Sequence, residues 1–208
     1  CTYDYKYNEV IFTFKDDRVV SGSRIREYVW FTVVYSEAAQ TFTSFYSYHP
    51  PIYVNTKQFI LTPDTVNQTN DIYIQDKGDN FSTFYGTSYD SNITIIENTY
   101  PTQTKVFDNI AYHQEATSLG LDVQATFDEY SSNTDYQSTG IIQLDPLVSK
   151  NIKRKERTWQ LPFYRSTTNK ERLRDKYITT KFNWVTSKKK TTKFVLHYIN
   201  TFFRASAR

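Results

Sequence analysis

Apolar and polar residues alternate in short stretches along the whole chain, and this pattern limits the possible folds more than any other feature. Residues 1–14 set Tyr3, Tyr5 and Tyr7 between polar neighbours and continue into Val10, Phe12 and Phe14. Period two sends successive side chains to opposite faces of an extended strand. Residues 25–35 (IREYVWFTVVY) are rich in β-branched and aromatic residues, so they predict a strand buried on both faces. Short strands are also expected on either side of His49-Pro50-Pro51, at 71–76, twice within 81–100, and through 104–116. Prolines cannot donate to a ladder, so the Pro pair marks an edge or a turn. EAAQ (37–40) reads as a helical turn or a loop, and DKGDN around Gly78 as turn chemistry.

The last third gives the sharpest local pattern. Residues 176–185 place Ile178, Thr180, Phe182 and Trp184 on one face, with Tyr177, Thr179, Lys181, Asn183 and Val185 on the other. A Lys-rich turn and a further strand-like run, 193–206, follow. Strand, turn and strand predict a C-terminal β-hairpin. TTNKERLRDK (167–176) is the best short helix candidate. The fold class expected is mainly β, with antiparallel sandwich or propeller-like sheets and at most one or two short helices. A shared F-S/T-x-Y texture about forty residues apart gives weak support to propeller blades.

Composition settles whether such a chain has a core. Apolar residues are 38%, below the roughly 45–50% usual for globular chains. The 18 Tyr and 15 Phe compensate, because disordered chains are poor in aromatics. The core is therefore expected to be built from rings. No apolar run approaches the ~20 residues that span a bilayer as a helix. There is no Met, and the single Cys is residue 1. A processed or partial product of a longer precursor is expected, with an acylated N-terminal Cys as the other reading. One Cys leaves no internal disulfide and no Cys-based metal cluster.

Net charge is +3, yet it is strongly split. Residues 1–146 carry 19 Asp+Glu against 8 Lys+Arg, a net of −11. Residues 147–208 carry 17 Lys+Arg against 3 Asp+Glu, a net of +14. Two domains are expected on this basis, an acidic aromatic-rich body (1–146) and a basic segment packed on it (147–208). The asymmetry points to an anionic partner, or to basic and acidic faces that meet. Basic residues cluster at Lys150–Arg157, at Lys170–Lys176 and at Lys188–Lys193. The third cluster reads as a solvated turn. The first two are interleaved with rings, which is the composition of buried interface centres. The interface candidates are Lys153, Arg154, Lys155, Arg157, Trp159, Phe163, Tyr164, Arg172 and Arg174.

No catalytic motif carries the chain toward an enzyme: G-x-S-x-G, the P-loop, G-x-G-x-x-G and H-E-x-x-H are all missing. His49, His113 and His197 are far apart with no ligand spacing, so structural roles are expected for them. Asp71, Asp76 and Asp79 around Gly78 hold oxygens suited to Ca²⁺ but match no EF-hand, and a turn is the expected reading. No catalytic, metal or cofactor residue is assigned.

Four stretches add a resemblance: residues 84–98 (FYGTSYDSNITIIEN), 102–110 (TQTKVFDNI), 171–184 (ERLRDKYITTKFNW) and 193–208 (KFVLHYINTFFRASAR). Read together they resemble the C-terminal part of the muzzle, or tail stabilization, protein of crAss-like podoviruses. Arg204 and Arg208 match the R-x-S-x-R ending of that family. The resemblance implies a non-enzymatic virion component without cofactor, in a ring at the distal end of a short tail. Its implied partners are its own copies, other tail proteins such as hub and fibers, and DNA passing through the exit channel. Two other readings stand beside it. One is an acylated surface lipoprotein or carbohydrate-binding β-domain. The other is a nucleic-acid-binding module that stacks bases on Trp159, Phe163 and Tyr164.

Overall fold

A computed structural model describes residues 1–19, 26–64, 71–144, 152–185 and 190–206. Among these, every regular element is a strand. The proposed helix at 167–176 is absent: residues 167–169 form a turn, and Arg174–Asp175 is a two-residue strand. Six charged side chains in ten residues gave that segment no apolar stripe to bury.

The chain forms two compact units. One comprises Cys1–Gly78 with Thr83–Tyr89, the other Asp79–Ser82 with Asp90–Arg208. The charge boundary at residue 146 falls inside the second unit.

The first unit is built on a four-stranded antiparallel meander: β1 (Thr2–Asp4), β2 (Glu9–Val19), β3 (Arg26–Ser36) and β4 (Thr41–Tyr46). The period-two run 1–14 is broken into a hairpin by a turn at Asn8, whose φ is +55°. Asn tolerates this left-handed conformation better than most residues. EAAQ makes the turn between β3 and β4. A three-stranded sheet follows, β5 (Val54–Thr56), β6 (Phe59–Pro63) and β7 (Ile72–Ile74), then the small ribbon β8 (Thr83–Phe84) and β9 (Thr87–Ser88).

Directly paired residues share a sheet face, so register defines two faces of the meander. Ile11 opposite Val34 and Thr13 opposite Thr32 form the inner face. There Ile11, Val34 and Ile60 make a small apolar cluster, with Tyr46 and Tyr53 packed against it. Buried Tyr48 extends this side by stacking on Tyr46 at 5.6 Å and on Phe84 at 4.5 Å, and hydroxyl bonds join the strands. Thr13 Oγ1 lies 2.8 Å from Thr32 Oγ1 and 2.5 Å from Tyr53 Oη, and Thr32 Oγ1 donates to the Tyr48 carbonyl at 2.7 Å. β3 is thus buried on one face, not on both as its composition suggested.

The second unit is a sandwich. One sheet has the order β10 (Ser91–Glu97), β18 (Ile178–Trp184), β13 (Glu129–Asn133), β14 (Ser138–Gln143). The other is organised by β11 (Lys105–Ser118). β19 (Thr192–Ala205) pairs one edge of β11 from end to end. Along the other edge lie, in turn, β17 (Arg174–Asp175), β16 (Thr158–Pro162) and β12 (Leu121–Asp122), with β15 (Lys153–Lys155) outside β16. Fourteen buried apolar residues fill the space between the sheets, eight of them Phe, Tyr or Trp. Tyr112 of one sheet meets Phe182 of the other edge-on at 5.5 Å, and Trp184 meets Phe194 at 4.6 Å. The expected face of Ile178, Thr180, Phe182 and Trp184 is the buried face of β18.

The C-terminal hairpin is corrected. β18 pairs β10 and β13, whereas β19 pairs β11. Both runs are strands, but they belong to opposite layers. Each has one ring-rich face, and Trp184 against Phe194 joins those faces across the core instead of side by side.

Candidate interaction surface

The basic residues of the C-terminal segment are organised by two irregularities in the β11–β19 ladder. Between Phe107↔Phe203 and Asn109↔Phe202, Asp108 is an extra residue on β11. A bulge leaves one residue unpaired and re-aims its side chain. Asp108 is thereby offered to two arginines: Arg172 Nη1 bonds its Oδ1, and Arg204 Nε lies 3.5 Å from its Oδ2. Asp108 and Arg172 line a surface cleft of about 420 Å³, with Phe107, Asn109, Pro162, Phe163 and Arg165.

Arg157 makes a second junction. It sits with Glu156 in the two-residue turn between β15 and β16, both at positive φ (+65° and +50°). Such turns favour Asn-Gly because positive φ strains residues carrying a Cβ. Here the turn directs the Arg157 guanidinium to Glu115 Oε1 at 2.8 Å and Asp122 Oδ2 at 3.0 Å. The Arg157 hydrogen bond holds the Glu115 carboxyl below its ordinary pKa. The basic segment thus finds part of its anionic complement within its own unit. The second unit's net charge is only +5, from 18 Lys+Arg and 13 Asp+Glu, and the first unit's is −2, from 7 and 9.

The basic candidates named from sequence fall into three groups. Lys153, Arg154 and Lys155 are exposed on β15, an outer strand of its sheet. Lysines on a sheet edge oppose the addition of further strands. Arg154 lies 5.7 Å above the Trp159 ring, its cross-strand partner. Arg157 and Arg172 hold the carboxylates just described. Arg174 is exposed on β17, and its backbone N–H donates to Gln137 Oε1 at 2.7 Å.

The aromatic candidates are corrected. Trp159 is 2% exposed and Phe163 is also buried, both in the main core cluster. Phe163 packs edge-on against Phe107 at 6.0 Å. Tyr164 is half-buried, and its backbone N–H donates to Tyr130 Oη at 3.2 Å. Alternation on β16 explains the outcome, since Trp159 and Leu161 face the core while Gln160 faces out. The stacking platform expected of a nucleic-acid module is absent at Trp159 and Phe163.

Around Gly78, Asp76 forms an ion pair with Lys6, which fits the turn reading better than a Ca²⁺ loop. Lys188 and Lys189 of the third basic cluster lie outside the described residues, as does Lys150 of the first.

Sequence reasoning missed an aromatic face in the first unit. The outer side of the meander carries Phe12, Phe14, Phe31, Tyr35, Phe42 and Phe45, in register across β2, β3 and β4. Five of these rings form a continuous row, with Phe14–Phe31 at 5.2 Å, Phe12–Phe14 at 6.1 Å, Phe12–Phe42 at 6.4 Å and Tyr35–Phe42 at 5.4 Å. Phe42 is 64% exposed and Phe45 is 79% exposed. The alternation of Phe12 and Phe14 on β2, and of Phe31 and Tyr35 on β3, was the available signal. A contiguous exposed apolar patch marks an interaction surface.

The described residues are thus all β, with an aromatic face on one sheet and a charged outer strand on another. Comparison with known families goes further. A model of the Crassvirus muzzle protein C-terminal domain matches residues 79–166, and a model of the Crassvirus muzzle protein matches residues 1–65. The chain belongs to the crassvirus muzzle protein family, the structural class that its sequence resembles. The first match begins where the second compact unit begins. A protein named muzzle protein from Bacteroides phage crAss001 is 26% identical over 205 residues, which cover 94% of this chain and 13% of the relative. The chain therefore spans about an eighth of that relative's length. Among the described residues no helix is long and apolar enough to cross a membrane.

Proposed function

We propose that the chain is a subunit of the distal short-tail assembly, acting by packing against its own copies in a ring and against other tail proteins. The exposed aromatic face of the first unit carries this reading. Moving one exposed Phe from water into a contact is worth about 1.5–3 kcal/mol, so this row is a source of association energy. A ring needs heterologous contacts, in which one face meets a different face of the neighbour. Lys153, Arg154, Lys155 and Arg174 suit the rim of such a contact, where charge sets register more than affinity. Assembly takes place in the bacterial host cytoplasm and the product resides in the virion tail.

DNA passing the channel is treated as a transient neighbour. Arg157, Arg172 and Arg204 are engaged with Glu115, Asp122 and Asp108, which lowers their capacity to hold phosphates and suits a path along which DNA must slide. Mass spectrometry and imaging of purified virions test the proposal. The expected result is the chain at the tail tip in several copies, and absence from purified particles overturns it. In solution, Phe42→Ser with Phe45→Ser should abolish concentration-dependent association measured by light scattering. Association that survives the double change refutes the assignment to this face.

A further inference from the structure

The second irregularity in the β11–β19 ladder lies between His113↔Tyr198 and Gln114↔Leu196, and His197 is its extra residue. Before the bulge, Phe194 and Leu196 point toward the core. After it, Ile199, Thr201 and Phe203 do. The phase change leaves His197 and Tyr198 together on the outer side. On β11, His113 and Glu115 are two residues apart and share one face, opposite the buried Tyr112 and Gln114. The bulge therefore lays His197 over His113 and Glu115, although 84 positions of sequence separate the two histidines.

The resulting geometry is compact. The two imidazole rings are 4.9 Å apart at 55°, and Glu115 Oε2 lies 3.7 Å from His197 Nε2. One potential ligand atom from each of the three residues falls within 4.8 Å of the others. Arg157 occupies Glu115 Oε1, which leaves Oε2 directed at the histidines. His113 Nε2 is buried and has no hydrogen-bond partner among the described residues. A buried polar atom without a partner is costly in a folded protein, and a metal ion is one way to satisfy it.

We propose that His113, Glu115 and His197 form a binding site for a divalent transition metal of the zinc type. Two imidazoles and a carboxylate are a ligand set that zinc accepts, with a fourth position left for solvent. Tetrahedral bonds of about 2.0–2.2 Å place ligand atoms roughly 3.3 Å apart, so the site closes by side-chain rotation. His197 and Glu115 are partly exposed and have room to rotate. Hydrogen bonding of a ligand carboxylate by a neighbour is the usual support around such a centre, and Arg157 supplies it here. The bound ion would clamp β11 to β19. A ligand that binds the folded but not the unfolded chain adds stability that grows with the logarithm of its concentration above Kd.

The experiment titrates the full chain with ZnCl₂ by calorimetry and with CoCl₂ by visible absorption, in a Cys1→Ser background because the exposed Cys1 thiol is itself a metal ligand. One zinc per chain is expected, with a Co²⁺ spectrum of tetrahedral intensity and a thermal midpoint that rises with zinc. His197→Gln and His113→Gln should each weaken binding more than tenfold and remove that rise. His197→Gln should leave the metal-free midpoint unchanged, since the side chain is partly exposed. His49→Gln should bind like the parent. Absence of saturable binding overturns the proposal, and so does binding that survives His197→Gln undiminished.

Discussion

The two units bury their inner surfaces by different chemistry. In the first unit three aliphatic residues, Ile11, Val34 and Ile60, are flanked by threonine and tyrosine hydroxyls bonded to one another, and by a smaller set of stacked rings at Tyr46, Tyr48 and Phe84. In the second, interlocking rings from two sheets fill the centre, with Phe182 touching Tyr112, Phe127 and Tyr130. A ring core draws stability from area and packing and tolerates no cavity. A hydroxyl core depends on complete satisfaction of its donors and acceptors, since each lost partner strands another. The first unit accordingly keeps many of its rings outside, where they can meet another molecule.

The strongest way to break this contrast is Phe182→Ala. Removing a fully buried ring costs about 3–5 kcal/mol, and hydrogen exchange should rise across the second unit with little change in the first. Thr32→Val tests the other side. It nearly conserves volume but removes the hydroxyl shared by Thr13 and the Tyr48 carbonyl, and a loss of about 1–3 kcal/mol is expected in the first unit. A loss near zero in denaturant melts would mean that the hydroxyl network is incidental. Lys105 sharpens the comparison, because it places one polar device inside the ring-built unit. It is fully buried, its ammonium donates to the Thr99 and Tyr100 carbonyls, and it lies 5.4 Å from the Phe203 ring. Lys105→Met should cost about 1–3 kcal/mol by stranding those carbonyls. The smallest effect is expected for Arg172→Ala. The exposed Arg172–Asp108 pair is worth less than about 1 kcal/mol, so a large fall in the melting midpoint would show that the junction is structural.

Much of this was legible in the sequence. Alternation is a local property, and it gave the strands, the buried face of β18 and the all-β class. The family was legible from texture in four stretches. Pairing partners were not legible, because nothing within 176–206 says that one run joins β10 and β13 while the next joins β11. Trp159 and Phe163 were misplaced for a related reason. Their basic neighbours suggested a surface, yet alternation on a strand separates adjacent residues to opposite faces. The meeting of His113 with His197 depends on one extra residue in a ladder, which no spacing rule reveals. The charge split was visible, but its partial neutralisation by Asp108, Glu115 and Asp122 required the fold.

The end-to-end pairing of β19 with β11 also sets a timetable. Lys105 is matched with Ala205 and Ser118 with Thr192, so the longest ladder of the second unit joins segments distant in sequence. Non-local pairing of this kind is slow, because chain closure must precede any gain from contacts. During translation β11 leaves the ribosome long before β19 is made. Until then one whole edge of β11 and the Phe107 side of the core stay open. A nascent chain in that state is a target for chaperones and a hazard for premature association, and the second unit closes only when its last strand has been synthesised.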